Sequence, residues 1–80
     1  MQKEDNGYGF DDVRAIKATM DKKGKTKALL IHAENTGDEH FSDDLWIPYS
    51  VLHSDSEVYR EGDVGTLILK TWWVEKQGWL

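Results

Sequence analysis

The sequence predicts one small, mainly β (α+β) domain with four or five strands and a short C-terminal helix. Its eighty residues suffice for a single domain. Apolar and polar residues alternate over residues 12–20 and 26–34, which is the period of a strand. Turn-forming residues separate these segments from each other and from later apolar ones. We expect a flexible N-terminal arm at residues 1–10, ordered by contact with a partner, and the domain at residues 11–80.

The first two predicted strands form a β-hairpin. The turn between them, at residues 21–25, contains Gly24, which can adopt the positive φ that hairpin loops require. The tip of this hairpin is basic. Its lysines are Lys22, Lys23, Lys25 and Lys27.

A third strand is predicted at residues 45–48, where Pro48 either ends the strand or confines it to an edge. We expect Trp46 in this strand to pack in the core beside Ile47 and Leu67. One helical turn at residues 49–52, a short strand at 57–59 and a strand at 66–70 follow.

A short helix is predicted at residues 72–77, with Thr71 as its cap and Gly78 as its stop. Trp79 would then make the hydrophobic contact that often closes such a stop. The alternative extends the preceding strand through residues 72–75, since tryptophan also favours strands. Adjacent rings on a helix point about 100° apart, so Trp72 and Trp73 cannot both enter a small core. This geometry predicts a homo-oligomer with residues 68–80 at its interface.

Several short motifs carry a family resemblance over residues 27–80. They have the form W-I-P-x-S at residues 46–50, S-E-V at 56–58 and G-D-x-G-x-L at 62–67, followed by an aromatic tail containing Glu and Lys. In this pattern the chain resembles small uncharacterised proteins encoded in bacteriophage and prophage genomes. The resemblance implies a phage-type accessory protein with no assigned activity. The Gly-Asp-x-Gly turn before a strand is also similar to that of SH3-like small barrels, which implies a half-open barrel of four or five strands.

Charge is unevenly distributed along the chain, whose net charge is −5. Residues 13–27 carry six Lys and Arg residues against one acid, whereas residues 28–63 carry nine acids against Arg60 alone. The sequence therefore predicts a basic tip and an acidic flank.

The residue pattern gives no support for an enzyme. The chain has no cysteine, and its serines lack a Gly-x-Ser-x-Gly setting. His32, His40 and His53 lack the His-x-x-x-His spacing of a helical metal site. We expect no catalytic residues, no metal and no cofactor. No apolar run approaches the ~20 residues of a membrane span and no signal peptide is evident, so we predict a cytoplasmic protein without membrane contact.

Two binding hypotheses remain. In the first, the chain binds a host or phage protein, acting as an acidic anti-defence inhibitor whose carboxylates occupy a nucleic-acid groove. The residues for protein binding are Asp38, Glu39, Asp43, Asp44, Trp72, Trp73 and Trp79, and the groove mimic would also use Asp55, Glu57, Glu61 and Asp63. In the alternative, Lys22, Lys23, Lys25 and Lys27 and exposed aromatic rings bind nucleic acid or a nucleotide, including as a signal-nucleotide sponge. The net charge of −5 disfavours a nucleic-acid polymer.

Overall fold

A computed structural model of the chain describes residues 6–34 and 39–79. Within these residues, four antiparallel strands form one open sheet in the order β3-β2-β1-β4, followed by one short C-terminal helix. The prediction of a mainly β fold with a short C-terminal helix is confirmed at this level. The elements are β1 (Tyr8–Met20), β2 (Thr26–Ala33), a 3-10 turn (Glu39–Phe41), β3 (Leu45–Pro48), a second 3-10 turn (Tyr49–Val51), β4 (Val64–Leu69) and α1 (Thr71–Lys76).

The predicted hairpin is formed by β1 and β2, which pair from Val13↔Ala33 to Met20↔Thr26. The Asp21 side chain organises its turn, because Oδ1 accepts hydrogen bonds from the backbone N–H groups of Lys23 (2.8 Å) and Lys25 (2.9 Å). Gly24 adopts φ +81°, as the turn requires. Local signals therefore suffice to determine this element.

Strand β1 begins earlier than the sequence predicts. Tyr8 pairs with Leu69 and Phe10 with Leu67, so residues 8–10 of the predicted N-terminal arm belong to the sheet. Residues 1–5 of that arm lie outside the described residues. The glycines around Tyr8 suggested a loose segment, but pairing with a distant strand overrides their local preference.

Strand β1 contains a β-bulge opposite β4. Between the pairs Phe10↔Leu67 and Val13↔Gly65, β1 has one residue more than β4. Asp12 lies in this bulge with φ +55°, a conformation that aspartate tolerates better than most residues. The extra residue accompanies a shift in the register of β1 against β4.

The core lies on one face of the sheet and is covered by the 3-10 turns and α1. Its fully or nearly fully buried members are Phe10, Val13, Ala15, Leu29, Ile31, Phe41, Ile47, Val51, Val58, Leu67, Leu69 and Val74. The prediction that Trp46 belongs to this core is wrong, since its side chain is 44% exposed. Neighbouring residues of a strand point to opposite faces, and in β3 Ile47 takes the core side.

The segment after the second 3-10 turn runs along the outer edge of β4. Leu52 forms an isolated bridge with Leu69, and the backbone N–H of Glu57 donates to the carbonyl of Thr66 at 3.0 Å. The short strand predicted at residues 57–59 is absent from the described part of the chain. Side chains replace part of the missing ladder, because Ser56 Oγ and Glu57 Oε1 accept hydrogen bonds from backbone N–H groups of β4.

Helix α1 confirms the helical interpretation over an extended strand. Lys70 is the N-cap and Thr71 is the first helical residue, with no side-chain capping bond, so the predicted capping role of Thr71 is wrong. The C-terminal end matches the prediction. Gly78 has φ +78°, its N–H donates to Glu75 O, and Trp79 N–H donates to Val74 O. This pair of bonds is a Schellman motif, which turns the chain after Gly78 back towards the helix.

Candidate functional site

The aromatic tail folds back onto the sheet through Trp79. Its ring lies 5.6 Å from Phe10, 5.7 Å from Phe41 and 5.5 Å from Trp73, each in an edge-to-face arrangement. The His40 ring lies closer, at 4.8 Å and tilted by 32°. Edge-to-face packing is a preferred geometry for aromatic pairs. Trp79 is therefore partly buried against the core.

The acidic segment reaches this cluster through the first 3-10 turn. Phe41 points into the core, whereas Glu39 and His40 are exposed, and Asp43 follows them on the surface. The contacts of His40 and Phe41 with Trp79 bring the acidic turn and the aromatic tail together. The sequence predicted both features without showing that they touch.

One of the predicted acids is paired with a side chain of the sheet. Asp44 Oδ1 lies 2.6 Å from His32 Nδ1, so this carboxylate is paired with a side chain of β2 while remaining 44% exposed. Asp38 lies outside the described residues. Glu39 and Asp43 are thus the predicted acids whose carboxylates are exposed and accept no hydrogen bond from another described side chain, the Ser42 hydroxyl donating to the backbone carbonyl of Glu39 instead.

Other acids of the negative stretch hold the fold together. The carboxylates of Glu57, Glu61 and Asp63 accept hydrogen bonds from backbone N–H groups, which stabilise the loops around β4. The donors are Thr66 to Glu57 (2.8 Å), Ala18 to Glu61 (3.1 Å), and Tyr59 and Arg60 to Asp63 (3.1 and 2.9 Å). The acidic composition of this stretch is therefore partly structural.

The adjacent tryptophans of α1 face different surroundings, as the helical geometry predicts. Trp72 is 53% exposed, whereas Trp73 is partly buried and packs against the core and Trp79. Trp72 is the tryptophan of the tail that is most available to another molecule.

The basic tip of the hairpin is on the surface. All four of its lysines are exposed, and Met20 beside them is 62% exposed. The turn also contains the Asp21 carboxylate, which holds the backbone of the tip and partly offsets its charge.

A cavity of about 430 Å³ lies beside the second 3-10 turn, and sequence reasoning missed it. Tyr49, Leu52, His53, Ser54, Ser56 and Tyr59 line it. The Arg60 guanidinium stacks on the Tyr59 ring, 4.9 Å from its centroid, and Nη2 donates to Tyr59 Oη at 3.2 Å. This hydrogen bond raises the pKa of Arg60 above its usual value. In the sequence, the signal for this cavity is a pair of tyrosines that flank a turn containing Ser and His.

The described residues contain no group of three or more His, Asp or Glu side chains arranged to hold a metal ion. Across residues 6–34 and 39–79, no helix has the length and apolar character needed to cross a bilayer. Comparisons of the chain with protein-family models, with curated proteins and with solved structures give no match. Membership of the phage family therefore stays a prediction.

Proposed function

We propose that the chain is a small, non-enzymatic accessory protein of the phage type, which binds a host or phage protein in the cytoplasm. The binding surface, here called the acidic–aromatic surface, consists of Glu39, Asp43, Trp72, Trp73 and Trp79. The observation that carries this proposal is the contact of Trp79 with His40 and Phe41, which joins the acidic turn to the aromatic tail.

The chemistry of this surface fits a partner with a basic groove. Exposed carboxylates attract lysine and arginine, and a large aromatic side chain supplies apolar contact area at low entropic cost. Trp72 is 53% exposed and provides that contact area. A protein that normally holds nucleic acid has such a groove, and this supports a role as an acidic anti-defence inhibitor.

We also propose a homo-oligomer whose interface is formed by residues 68–80, a segment that includes α1. The outer edge of β4 is not open to a second sheet, because His53 N–H donates to Ile68 O and Lys70 N–H donates to Val51 O. A second copy would therefore contact side chains of α1, with Trp72 at the centre. A sedimentation mass of 9.2 kDa at micromolar concentration would exclude this oligomer.

We further propose that the sheet is part of a half-open, SH3-like barrel. Its support is the path of residues 51–57, which lead from edge strand β3 to the opposite edge at β4. A segment that touches both edges partly encloses the core.

Charge reversal with a matched control tests the protein-binding proposal. The unmodified chain and each variant serve as baits in a pull-down. The double variant Glu39→Lys/Asp43→Lys reverses the charge of both exposed acids, and Trp72→Ala removes the exposed ring. Asp55→Lys makes the same kind of change at an acid whose side chain is 78% exposed in another loop. We expect a partner captured by the unmodified chain to be lost with the first two baits and retained with the control. Equal capture by all baits would refute the acidic–aromatic surface.

Nucleic acid at the lysine tip is the second candidate, favoured by the exposure of Lys22, Lys23, Lys25 and Lys27. Binding of oligonucleotides should then weaken steeply between about 50 and 200 mM salt. Absence of binding at low salt would exclude this candidate.

A further inference from the structure

We infer that the 430 Å³ cavity beside the second 3-10 turn is a binding site for a nucleoside monophosphate, with the base between the cavity's aromatic walls and the phosphate at Arg60. The site shares no residue with the acidic–aromatic surface or with the lysine tip. Its test therefore succeeds or fails independently of the proposed protein binding.

The walls of the cavity suit a flat ring. Tyr49, His53 and Tyr59 are among the residues that line the cavity, and the His53 side chain is only 15% exposed. Aromatic side chains stack readily on nucleobases, whatever the base. The volume of about 430 Å³ lies within the range of about 300–1,000 Å³ typical of small-molecule sites.

The His53 ring is fixed in its orientation. Its Nδ1 accepts a hydrogen bond from Asp55 N–H at 3.1 Å, which assigns the proton to Nε2. Behind the ring, a Cβ added to Gly7 would lie only 3.0 Å from His53 Cδ2, so the backbone of Gly7 packs closely against the imidazole. A wall held on both sides does not need to be ordered by the ligand, which reduces the entropic cost of binding.

Arg60 does not itself line the cavity but contacts Tyr59, which does, and so places a cation next to the site. Arg60 donates one N–H to Tyr59 Oη and lies over the Tyr59 ring, and these two contacts orient its guanidinium. A planar guanidinium matches phosphate oxygens in a bidentate geometry. Since Tyr59 Oη accepts a hydrogen bond from Arg60 Nη2, its own hydroxyl hydrogen can be donated to the same anion.

Nearby carboxylates favour one phosphate over several. Asp55 is 78% exposed beside His53, and Asp63 lies under the loop that carries Arg60. Additional phosphates would add negative charge near these acids. The net charge of −5 also favours a ligand with one phosphate, because the protein repels a monophosphate less than it repels a nucleic-acid polymer.

Nuclear magnetic resonance titration with adenosine 5′-monophosphate tests the site. We expect saturable binding tighter than about 1 mM, with the largest shifts at Tyr49, Leu52 and His53. Adenosine alone and inorganic phosphate alone should each bind at least about tenfold more weakly, because each makes only part of the contacts. Triphosphate should not bind more tightly than monophosphate.

Variants assign the roles. Arg60→Gln should weaken monophosphate binding at least about tenfold, and Tyr59→Phe should weaken it several-fold, with the fold unchanged. The matched controls Arg14→Gln and Tyr8→Phe alter exposed residues that do not line the cavity and should leave the affinity unchanged. No saturable binding of the adenine, guanine, cytosine or uracil monophosphates at about 5 mM would overturn the inference. Binding unaffected by Arg60→Gln, or shifts confined to the lysine tip, would overturn it as well.

Discussion

Replacing Trp79 with alanine tests whether the aromatic cluster holds the C-terminal helix on the sheet. Helix α1 has six residues, too few to be stable alone, so its position depends on packing. The Trp79 ring joins the helix to the core through its contacts with Trp73, Phe10 and Phe41. Removing the ring leaves a gap that the Schellman turn cannot close by itself.

The expected loss follows from the burial of this ring. A fully buried Trp→Ala change costs about 3–5 kcal/mol. Since Trp79 keeps some exposure, we expect about 2–4 kcal/mol, in line with ring pairs contributing about 0.5–1.5 kcal/mol each. A domain of 80 residues has a free energy of unfolding of about 4–12 kcal/mol. The midpoint of thermal unfolding should therefore fall by about 8–30 °C.

Thermal and urea unfolding followed by circular dichroism measures this loss. Trp72→Ala is the matched control, since it removes the same ring from the exposed side of the same region and should cost under about 1 kcal/mol. The comparison is made at low protein concentration, where any oligomer dissociates. Equal losses for Trp72→Ala and Trp79→Ala, or no loss for either, would refute the cluster as the element that holds α1.

Two further substitutions probe the fold next to β4. Ser56→Ala should cost about 2–4 kcal/mol, because the nearly buried Oγ (residue 8% exposed) accepts two backbone N–H bonds that alanine leaves unpaired, whereas the exposed Ser50→Ala should stay within about 0.5 kcal/mol. A neutral Ser56→Ala in urea unfolding would contradict this role. Gly65→Ala should be more harmful than Gly24→Ala, because its new Cβ would lie 2.9 Å from Glu57 Oε1 while that of Gly24 meets nothing within 4 Å. We expect the free energy of unfolding to fall by about 1 kcal/mol for Gly24→Ala, from backbone strain alone, and by at least twice that for Gly65→Ala. The reverse order in thermal unfolding would show that the contact with Glu57 does not determine the cost.

Where the sequence succeeded, the signal was local. The hairpin turn follows from Gly24 and the Asp21 side chain, and the end of α1 follows from Gly78. Each depends on residues within one turn of the chain, so composition and spacing suffice. The opposed surroundings of Trp72 and Trp73 are likewise a property of helical geometry.

Where the sequence failed, the deciding partner was distant. Alternation in β3 indicated two faces, but the register against β2, which places Ile47 opposite the buried Leu29, determined that Ile47 is buried and Trp46 exposed. Phe10 was assigned to an arm because its local context is polar, yet pairing with Leu67 places it in the core.

The candidate sites divide in the same way. The sequence by itself determined that the chain has an acidic stretch, a basic tip and an aromatic tail, since these are properties of composition. Only the tertiary structure decided that the carboxylates of Glu57, Glu61 and Asp63 accept hydrogen bonds from backbone N–H groups, while Glu39 and Asp43 face solvent. It also decided that the aromatic tail meets the acidic turn, and that two tyrosines ten positions apart line one cavity. Such contacts join segments that are remote along the chain, and no pattern of neighbouring residues encodes which of them will meet.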